Sequence, residues 1–144
     1  MKKIVVDTNI VVSALLRAES NPALVISLIM RPDLGLCRIL LSEEIFTEYK
    51  EVLSRPKFKK LNTKAVNKLL GYLKKEASWI KPETSINAIK EDPADNKFLE
   101  CAVEGGADYI ITGNTKHFPS KKFRGITILP PGEFLAEIAK TVFK

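Results

Sequence analysis

Three acidic residues, Asp7, Glu48 and Asp95, occupy positions from which carboxylates could act together. Asp7 follows the apolar run 4–6, Glu48 lies in a helical stretch, and Asp95 lies in the first turn of another predicted helix. Clustered carboxylates repel one another unless a cation binds them, and Mg²⁺ and Mn²⁺ prefer oxygen ligands. We therefore expect these residues to bind a divalent metal ion, joined by Asn114, which follows the apolar run 109–111.

Each acidic residue also has an ordinary structural interpretation. Asp92 can cap a helix whose first position is Pro93, and Asp95 in that first turn would stabilise the helix dipole without a metal. Asp7 could fix the turn after its strand, and Glu48, which has acidic helix neighbours, could be a solvated charge. No single residue decides between a metal site and these alternatives.

The elements that must position these residues follow from the hydrophobic pattern. Short apolar runs predict strands, and apolar residues three and four positions apart predict helices between them. The alternation predicts a parallel sheet covered by helices, with the functional crevice beyond the carboxyl ends of the strands. The predicted strands are 4–6, 37–41, 79–80, 109–111 and 126–129, and the predicted helices lie at 11–16, 22–30, 43–54, around 66–73, at 92–105 and from 131 onward.

The predicted fold class is α/β, with three layers in the order α/β/α. A central parallel sheet of four to five strands is expected, and the helices at 43–54 and around 66–73 form a helical-pair insertion. With 144 residues, 45% of them hydrophobic, residues 1–144 are expected to form one domain around one core.

The composition also excludes some classes of protein. No run approaches the roughly 18 uninterrupted apolar residues that a membrane span needs, so we expect a cytoplasmic protein with no membrane segment. Cys37 and Cys101 stand far apart, with no Cys or His near them at metal-ligand spacing. We expect two core thiols and neither a zinc site nor a disulfide.

The net charge of +6 favours a polyanionic partner. Two basic stretches contain aromatic residues: 55–60 around Phe58, and 116–124 around Phe118 and Phe123. Cations beside stackable rings suit single-stranded RNA, although buried phenylalanines among solvated lysines would give the same pattern. The residues expected to contact nucleic acid are Arg55, Lys57, Lys59, Lys60, Lys116 and His117.

Four segments in order along nearly the whole chain carry a family resemblance. They are Ile4-Val5-Val6-Asp7-Thr8-Asn9, the stretch from Ser42 through Glu48-Tyr49 to Val52-Leu53-Ser54-Arg55-Pro56-Lys57-Phe58, Asp92-Pro93-Ala94-Asp95-Asn96 leading into Phe98-Leu99-Glu100-Cys101-Ala102, and Ala107-Asp108-Tyr109-Ile110-Ile111-Thr112-Gly113-Asn114. Together they resemble the PIN-domain nuclease family, in particular the compact prokaryotic members that serve as toxins of toxin-antitoxin pairs.

The resemblance implies a catalytic metal site. Asp7, Glu48 and Asp95 correspond to its carboxylate ligands, and the fourth catalytic position falls on Asn114, where many relatives carry Asp. An amide oxygen can coordinate a metal or hold its water, but it adds no charge, so a second metal would bind more weakly.

Further residues match the small polar and acidic positions of the family. Thr8, Asn9, Asp92 and Thr112 are expected to orient the metal ligands or the scissile phosphate. Asp108 also matches a frequent acidic position, but its place at the start of a strand indicates a structural role.

The activity implied is that of an endoribonuclease dependent on Mg²⁺ or Mn²⁺. The metal would activate a water for in-line attack on the phosphodiester of single-stranded RNA, leaving a 5′-phosphate and a 3′-hydroxyl. The resemblance also implies a small antitoxin partner and a homodimer or higher homo-oligomer.

Two other functions compete with this one. A receiver or phosphatase-like domain would use Asp7 as a phosphate-accepting nucleophile, but such a phosphatase needs a second Asp where this chain has Asn9. A catalytically weak or inactive module that binds RNA or a partner protein is the stronger alternative, and Asn114 is its best support.

Overall fold

A computed structural model of the chain describes residues 1–89 and 95–143. Strands and helices alternate along most of the chain, as the hydrophobic pattern predicts. The elements are β1 (Lys2–Val6), α1 (Thr8–Leu16), α2 (Asn21–Ile29), β2 (Cys37–Leu41), α3 (Glu43–Leu53), α4 (Thr63–Glu76), β3 (Ser78–Trp79), α5 (Asn96–Gly105), β4 (Tyr109–Ile111), β5 (Lys122–Phe123), β6 (Ile126–Leu129) and α6 (Pro131–Val142).

The six strands form one sheet in the order β3-β2-β1-β4-β6-β5. All neighbouring strands are parallel except β5, which runs antiparallel to β6. The α/β fold with a mostly parallel sheet flanked by helices is therefore confirmed. The helical pair α3 and α4 lies between β2 and β3 in the chain, as expected.

Within the described residues, five strands are parallel, as the prediction of four to five parallel strands requires, and the antiparallel β5 is an addition that was not predicted. β5 has only two residues, lies in a basic stretch and contains no apolar run. It pairs with β6 across a turn in which Arg124 has a φ of 48° and Gly125 a φ of 84°. Its formation depends on this turn and on its partner strand, which hydrophobic periodicity does not reveal.

The two central strands, β1 and β4, form the middle of the core. Their apolar residues from Ile4 to Val6 and at Ile110 and Ile111 are fully buried. Strands covered on both faces read as continuous apolar runs, which is why the sequence identified them. Helix α5 packs against β1, β2 and β4, while α2 packs against α1 and α6.

Helix α5 begins at Asn96, and Asp95 is its N-cap residue, with helical φ and ψ angles of −80° and −9°. The predicted start at Asp92 lies outside the described residues. By contrast, α3 begins as expected after Ser42, whose hydroxyl accepts a hydrogen bond from the amide of Ile45 at 3.3 Å.

Cys37 and Cys101 are both buried and free, which confirms that they are core thiols. Burial raises the pKa of Cys37 to about 11 and that of Cys101 to about 12. In the described part of the chain no single helix is long and apolar enough to cross a membrane, and α1 with α2 reaches that length only as a pair bent by 105°.

Candidate metal centre and nucleic-acid cleft

Asp7 lies at the carboxyl end of the central strand β1. The amide of Asp7 donates a 2.9 Å hydrogen bond to the carbonyl of Ile111, the last residue of β4. Helix α1 begins directly after Asp7. Thr112 follows β4, and its amide donates to the carbonyl of Leu129 at 3.1 Å. The parallel register thus brings Asp7 and Thr112 to the same sheet edge, where the crevice was predicted.

A short hydrogen-bonded chain links three of the predicted site residues. The hydroxyl of Thr112 donates to Asp7 Oδ2 at 2.7 Å and accepts from the amide of Asn114 at 3.0 Å. Thr112 is fully buried and Asp7 is 6% exposed. Thr112 therefore orients the Asp7 carboxylate, as expected of a positioning residue.

The carboxyl group of Asp7 is in an environment that disfavours its charge. Burial raises its pKa above the ordinary value, and the negative charge of Glu48 raises the pKa further, while the hydrogen bond from Thr112 opposes both. A carboxylate held in this way is stabilised by any cation that binds beside it.

Two consecutive residues of α3 hold the segment around Asp7. The Thr8 hydroxyl donates to Glu48 Oε2, and the Tyr49 hydroxyl donates to the carbonyl of Val6. Tyr49 is fully buried, and burial followed by the charge of Asp7 raises its pKa well above the ordinary value, so its hydroxyl remains a donor. The residues on both sides of Asp7 are thus fixed to α3.

One open cleft of about 360 Å³ contains all four residues of the predicted catalytic set. Its wall combines carboxylates, amides and cations. The lining residues are Asp7, Thr8, Asn9, Val12, Glu48, Val52, Arg55, Lys57, Phe58, Asp95, Asn114 and His117. The structure therefore places Asp7, Glu48, Asp95 and Asn114 around a common space.

The other predicted nucleic-acid contacts divide into two groups. Arg55, Lys57 and His117 line the cleft, whereas Lys59 lines a separate groove of about 330 Å³ between the end of α3 and α4. The exposed Lys60 and Lys116 line neither space. Asp92, expected to help orient the ligands, lies outside the described residues.

The aromatic residues of the basic stretches also differ from one another. Phe118 is 6% exposed and belongs to the core, so it cannot stack on a base. It is a buried phenylalanine among basic residues, which is the alternative that the sequence left open. Phe123 is partly buried against the core. Phe58 is partly buried and lines the cleft, and the ammonium of Lys57 lies 5.0 Å from the centroid of its ring.

The donor set fits a partly hydrated divalent ion. Within residues 1–89 and 95–143, no three acidic, His or Cys side chains converge closely enough to form a complete ligand group. Mg²⁺ usually keeps several waters and binds through one or two carboxylates. Asp7 and Glu48, whose charges already affect each other, meet this requirement, and Asp95 and Asn114 line the same cleft.

The sequence did not identify two residues of this region. Lys97, in α5, forms an ion pair with Glu48, with Nζ 2.7 Å from Oε1. Tyr49 was named in the motif that carries the family resemblance but was given no role, although its hydroxyl reaches β1. Both contacts join elements distant in the chain, and no local spacing in the sequence signals them.

Asp108 has the structural role that its position indicated. Its carboxylate Oδ2 accepts a 2.8 Å hydrogen bond from the amide of Lys3 in β1. Asp108 stands at the start of β4 and therefore lies at the sheet edge opposite Asp7. It is a useful control carboxylate because it lies away from the cleft.

The family model of the PIN domain matches residues 3–116 of this chain. This range includes every residue that lines the cleft except His117. The chain belongs to the PIN-domain family. It is also 31% identical, over 114 residues, to an uncharacterized protein of Methanocaldococcus jannaschii, covering 78% of this chain and 70% of that protein. Membership of the PIN-domain family indicates a nuclease-type function, and PIN nucleases typically use divalent metals.

Proposed function

We propose that this PIN-domain protein is an endoribonuclease that hydrolyses phosphodiester bonds of single-stranded RNA and depends on Mg²⁺ or Mn²⁺. The observation that carries the proposal is the buried Asp7 carboxylate, with its charge disfavoured, in one cleft with Glu48, Asp95 and Asn114. Carboxylates whose charge is disfavoured by burial and by a second carboxylate in the same cleft are typical of functional sites.

The roles of the residues follow from their contacts. Asp7 and Glu48 would hold the metal, which when bound supplies charge neutralisation at the phosphate and an activated water, and Asp95 lines the same cleft. Thr112 orients Asp7, and Thr8 orients Glu48 through its hydroxyl. Since these hydroxyls are held by the fold, the carboxylates need little reorganisation before reaction.

The basic residues that line the cleft suit a nucleic-acid backbone. Lys57 and His117 are exposed cations or hydrogen-bond donors at the edge of the cleft, and Arg55 is exposed beside them while paired with Glu51 at 3.0 Å. Phe58 offers a partly accessible ring in the same cleft. Phosphate contacts with a ring beside them suit a single strand better than a rigid duplex.

The biological setting is proposed from the family resemblance. We infer a cytoplasmic toxin of a toxin-antitoxin pair, inhibited by a small antitoxin and forming a homodimer or higher homo-oligomer. Leu16 at the end of α1 and Leu24 in α2 are each about half exposed, which is consistent with a helical interface between copies.

The test uses end-labelled single-stranded RNA and the matching DNA with Mg²⁺, Mn²⁺ or EDTA. The wild-type protein is compared with Asp7→Asn and Asp95→Asn, and Asp108→Asn is the control because it replaces a carboxylate outside the cleft. Metal-dependent cleavage of RNA that both cleft variants lose and the control retains would support the proposal.

Two other outcomes have different meanings. Cleavage that persists in EDTA and in both cleft variants would come from a contaminating nuclease. No cleavage, together with RNA binding that Asp7→Asn leaves unchanged, would favour the inactive binding module, for which the uncharged Asn114 is the supporting observation.

A further inference from the structure

Lys97 is a nearly buried cation beside the proposed metal site. Its side chain is 11% exposed, and its ammonium lies 2.7 Å from Oε1 of Glu48, which is 26% exposed. Lysine is rarely buried to this extent unless it is paired, since taking its charge out of water is costly. The pair with Glu48 therefore explains why this lysine can be buried.

The position of Lys97 in its helix is unfavourable by itself. It is the second residue of α5, whose N-terminal end carries the positive end of the helix dipole. Helix N-termini favour acidic side chains and disfavour cations. The helix dipole therefore does not favour a lysine at this position, whereas the contact with Glu48 in α3 does.

Glu48 has each of its oxygens held by a different donor. Oε2 accepts from the Thr8 hydroxyl and Oε1 pairs with Lys97. A carboxylate has about four lone-pair sites, so Glu48 can still bind a metal while both donors remain. The ammonium, however, repels any cation that approaches the same carboxylate.

Acidic residues surround the outer side of Lys97. It lines a shallow groove with Glu43, Glu44, Glu48 and Glu51, and this groove adjoins the cleft at Glu48. Glu51 is paired with Arg55, but without the Lys97 ammonium Glu43, Glu44, Glu48 and Asp7 would present a more negative surface to a divalent ion. Lys97 reduces that negative charge from within the protein.

We propose that Lys97 is a positioning residue that serves as the built-in counter-ion of Glu48. It holds the carboxylate in place in the metal-free protein, and a divalent ion must compete with its charge in order to bind. Lys97 therefore weakens metal binding while it stabilises the metal-free cleft. This inference rests on the proposed function, since it concerns the same carboxylates.

The experiment measures Mn²⁺ binding to the full chain without RNA, by the loss of the free-Mn²⁺ electron paramagnetic resonance signal. Lys97→Met removes the charge and retains an unbranched chain, and Lys97→Arg retains the charge. Lys68→Met is the matched control, because Lys68 is exposed on α4 and its replacement by Met removes the same charge.

We expect the Mn²⁺ dissociation constant of Lys97→Met to fall about tenfold, since a nearby like charge is removed from a partly buried site. Lys97→Arg and Lys68→Met should stay close to the wild type. The melting temperature of metal-free Lys97→Met should be lower than that of the metal-free wild type. Saturating Mn²⁺ should raise the melting temperature of Lys97→Met by more than it raises that of the wild type.

An unchanged or larger dissociation constant in Lys97→Met would overturn the counter-ion role and leave the nuclease proposal intact. If Lys97→Met does not fold, Lys97→Gln, which keeps a hydrogen-bond donor without the charge, answers the same question. Absence of Mn²⁺ binding by the wild type would overturn both this inference and the metal dependence proposed above.

Discussion

The cleft has a floor and a rim that are built differently. The floor consists of Asp7 and Thr8, with Thr112 behind Asp7, and all three residues are buried and held by hydrogen bonds. The rim, which includes Lys57 and Asn114, consists of exposed side chains on short loops and turns. The floor therefore depends on exact placement, whereas the rim acts mainly through charge. Substitutions in the floor should affect catalysis strongly, and those in the rim should adjust binding.

The largest effect is expected from Asp7→Asn. Loss of the buried negative charge should reduce RNA cleavage about a thousandfold, since metal ions contribute several kcal/mol to the stabilisation of the transition state. Cleavage rates under single-turnover conditions would measure this. Asp108→Asn at the opposite sheet edge should retain the wild-type rate.

The stability of Asp7→Asn as a function of pH tests how much the buried charge of Asp7 costs. Because the pKa of Asp7 is raised, the folded state holds this proton more tightly than the unfolded chain does. The stability gained is present below the ordinary value of 3.8 and is lost as the pH rises through the folded pKa. In EDTA, Asp7→Asn should melt at a higher temperature than the wild type at neutral pH, with the difference vanishing in acid. A lower melting temperature at neutral pH would contradict the proposed cost of this charge.

Thr112→Val is the next test of the floor. The change keeps the shape but removes both the donor to Asp7 and the acceptor for the amide of Asn114. We expect cleavage to fall about 10- to 100-fold, as for other residues that orient metal ligands, and stability to fall by about 2 kcal/mol. Urea unfolding and cleavage rates would be compared with Thr127→Val on β6. Equal effects in the two variants would argue against a specific role for the Thr112 hydroxyl.

Asn114→Asp adds a negative charge at the position where the family resemblance implies a fourth carboxylate. A further carboxylate at the cleft should lower the Mg²⁺ concentration needed for half-maximal cleavage about fivefold, because hard cations bind more tightly to charged oxygens. The effect is modest since Asn114 is exposed. The Mg²⁺ titration should be repeated with Asn87→Asp, an exposed asparagine outside the cleft, which should leave it unchanged.

The smallest effect is expected at the cationic part of the rim. Lys57→Ala should weaken binding of single-stranded RNA about threefold and reduce its dependence on salt by the loss of one phosphate contact. Lys60→Ala removes the same charge outside the cleft and should have less effect. Binding in EDTA at several salt concentrations measures both. An equal loss in the two variants would mean that general charge, and not the rim, attracts RNA.

The floor was largely predictable from sequence, because it follows from strand ends. The apolar run of β1 identified a buried strand, and Asp7 after it had to lie at the carboxyl edge beside the residue that follows β4. Glu48 and Asp95 were assigned to helices and Asn114 to the end of another strand, and the family resemblance implied a common catalytic role for all four residues. The structure places these four residues in one cleft.

The remainder required contacts between distant segments. The ion pair of Lys97 with Glu48 joins α5 to α3, and nothing in the spacing of either helix announces it. β5 depends on a turn with positive φ angles, and Phe118 could be assigned to the core only once its surroundings were known. Basic stretches in a sequence likewise do not show which lysines share a surface, and so Lys57 and Lys60 could not be distinguished.

The hydrogen bond between Thr112 and Asp7 joins residues that lie 105 positions apart. During translation, Asp7 leaves the ribosome long before its donor has been made, and β1 cannot pair with β4 until the chain has reached Ile111. Such distant contacts form late in folding. A nascent chain that ends before Thr112 therefore carries the acidic residues of the cleft without the floor that orients them. The site is still incomplete while the ribosome translates the rest of the chain.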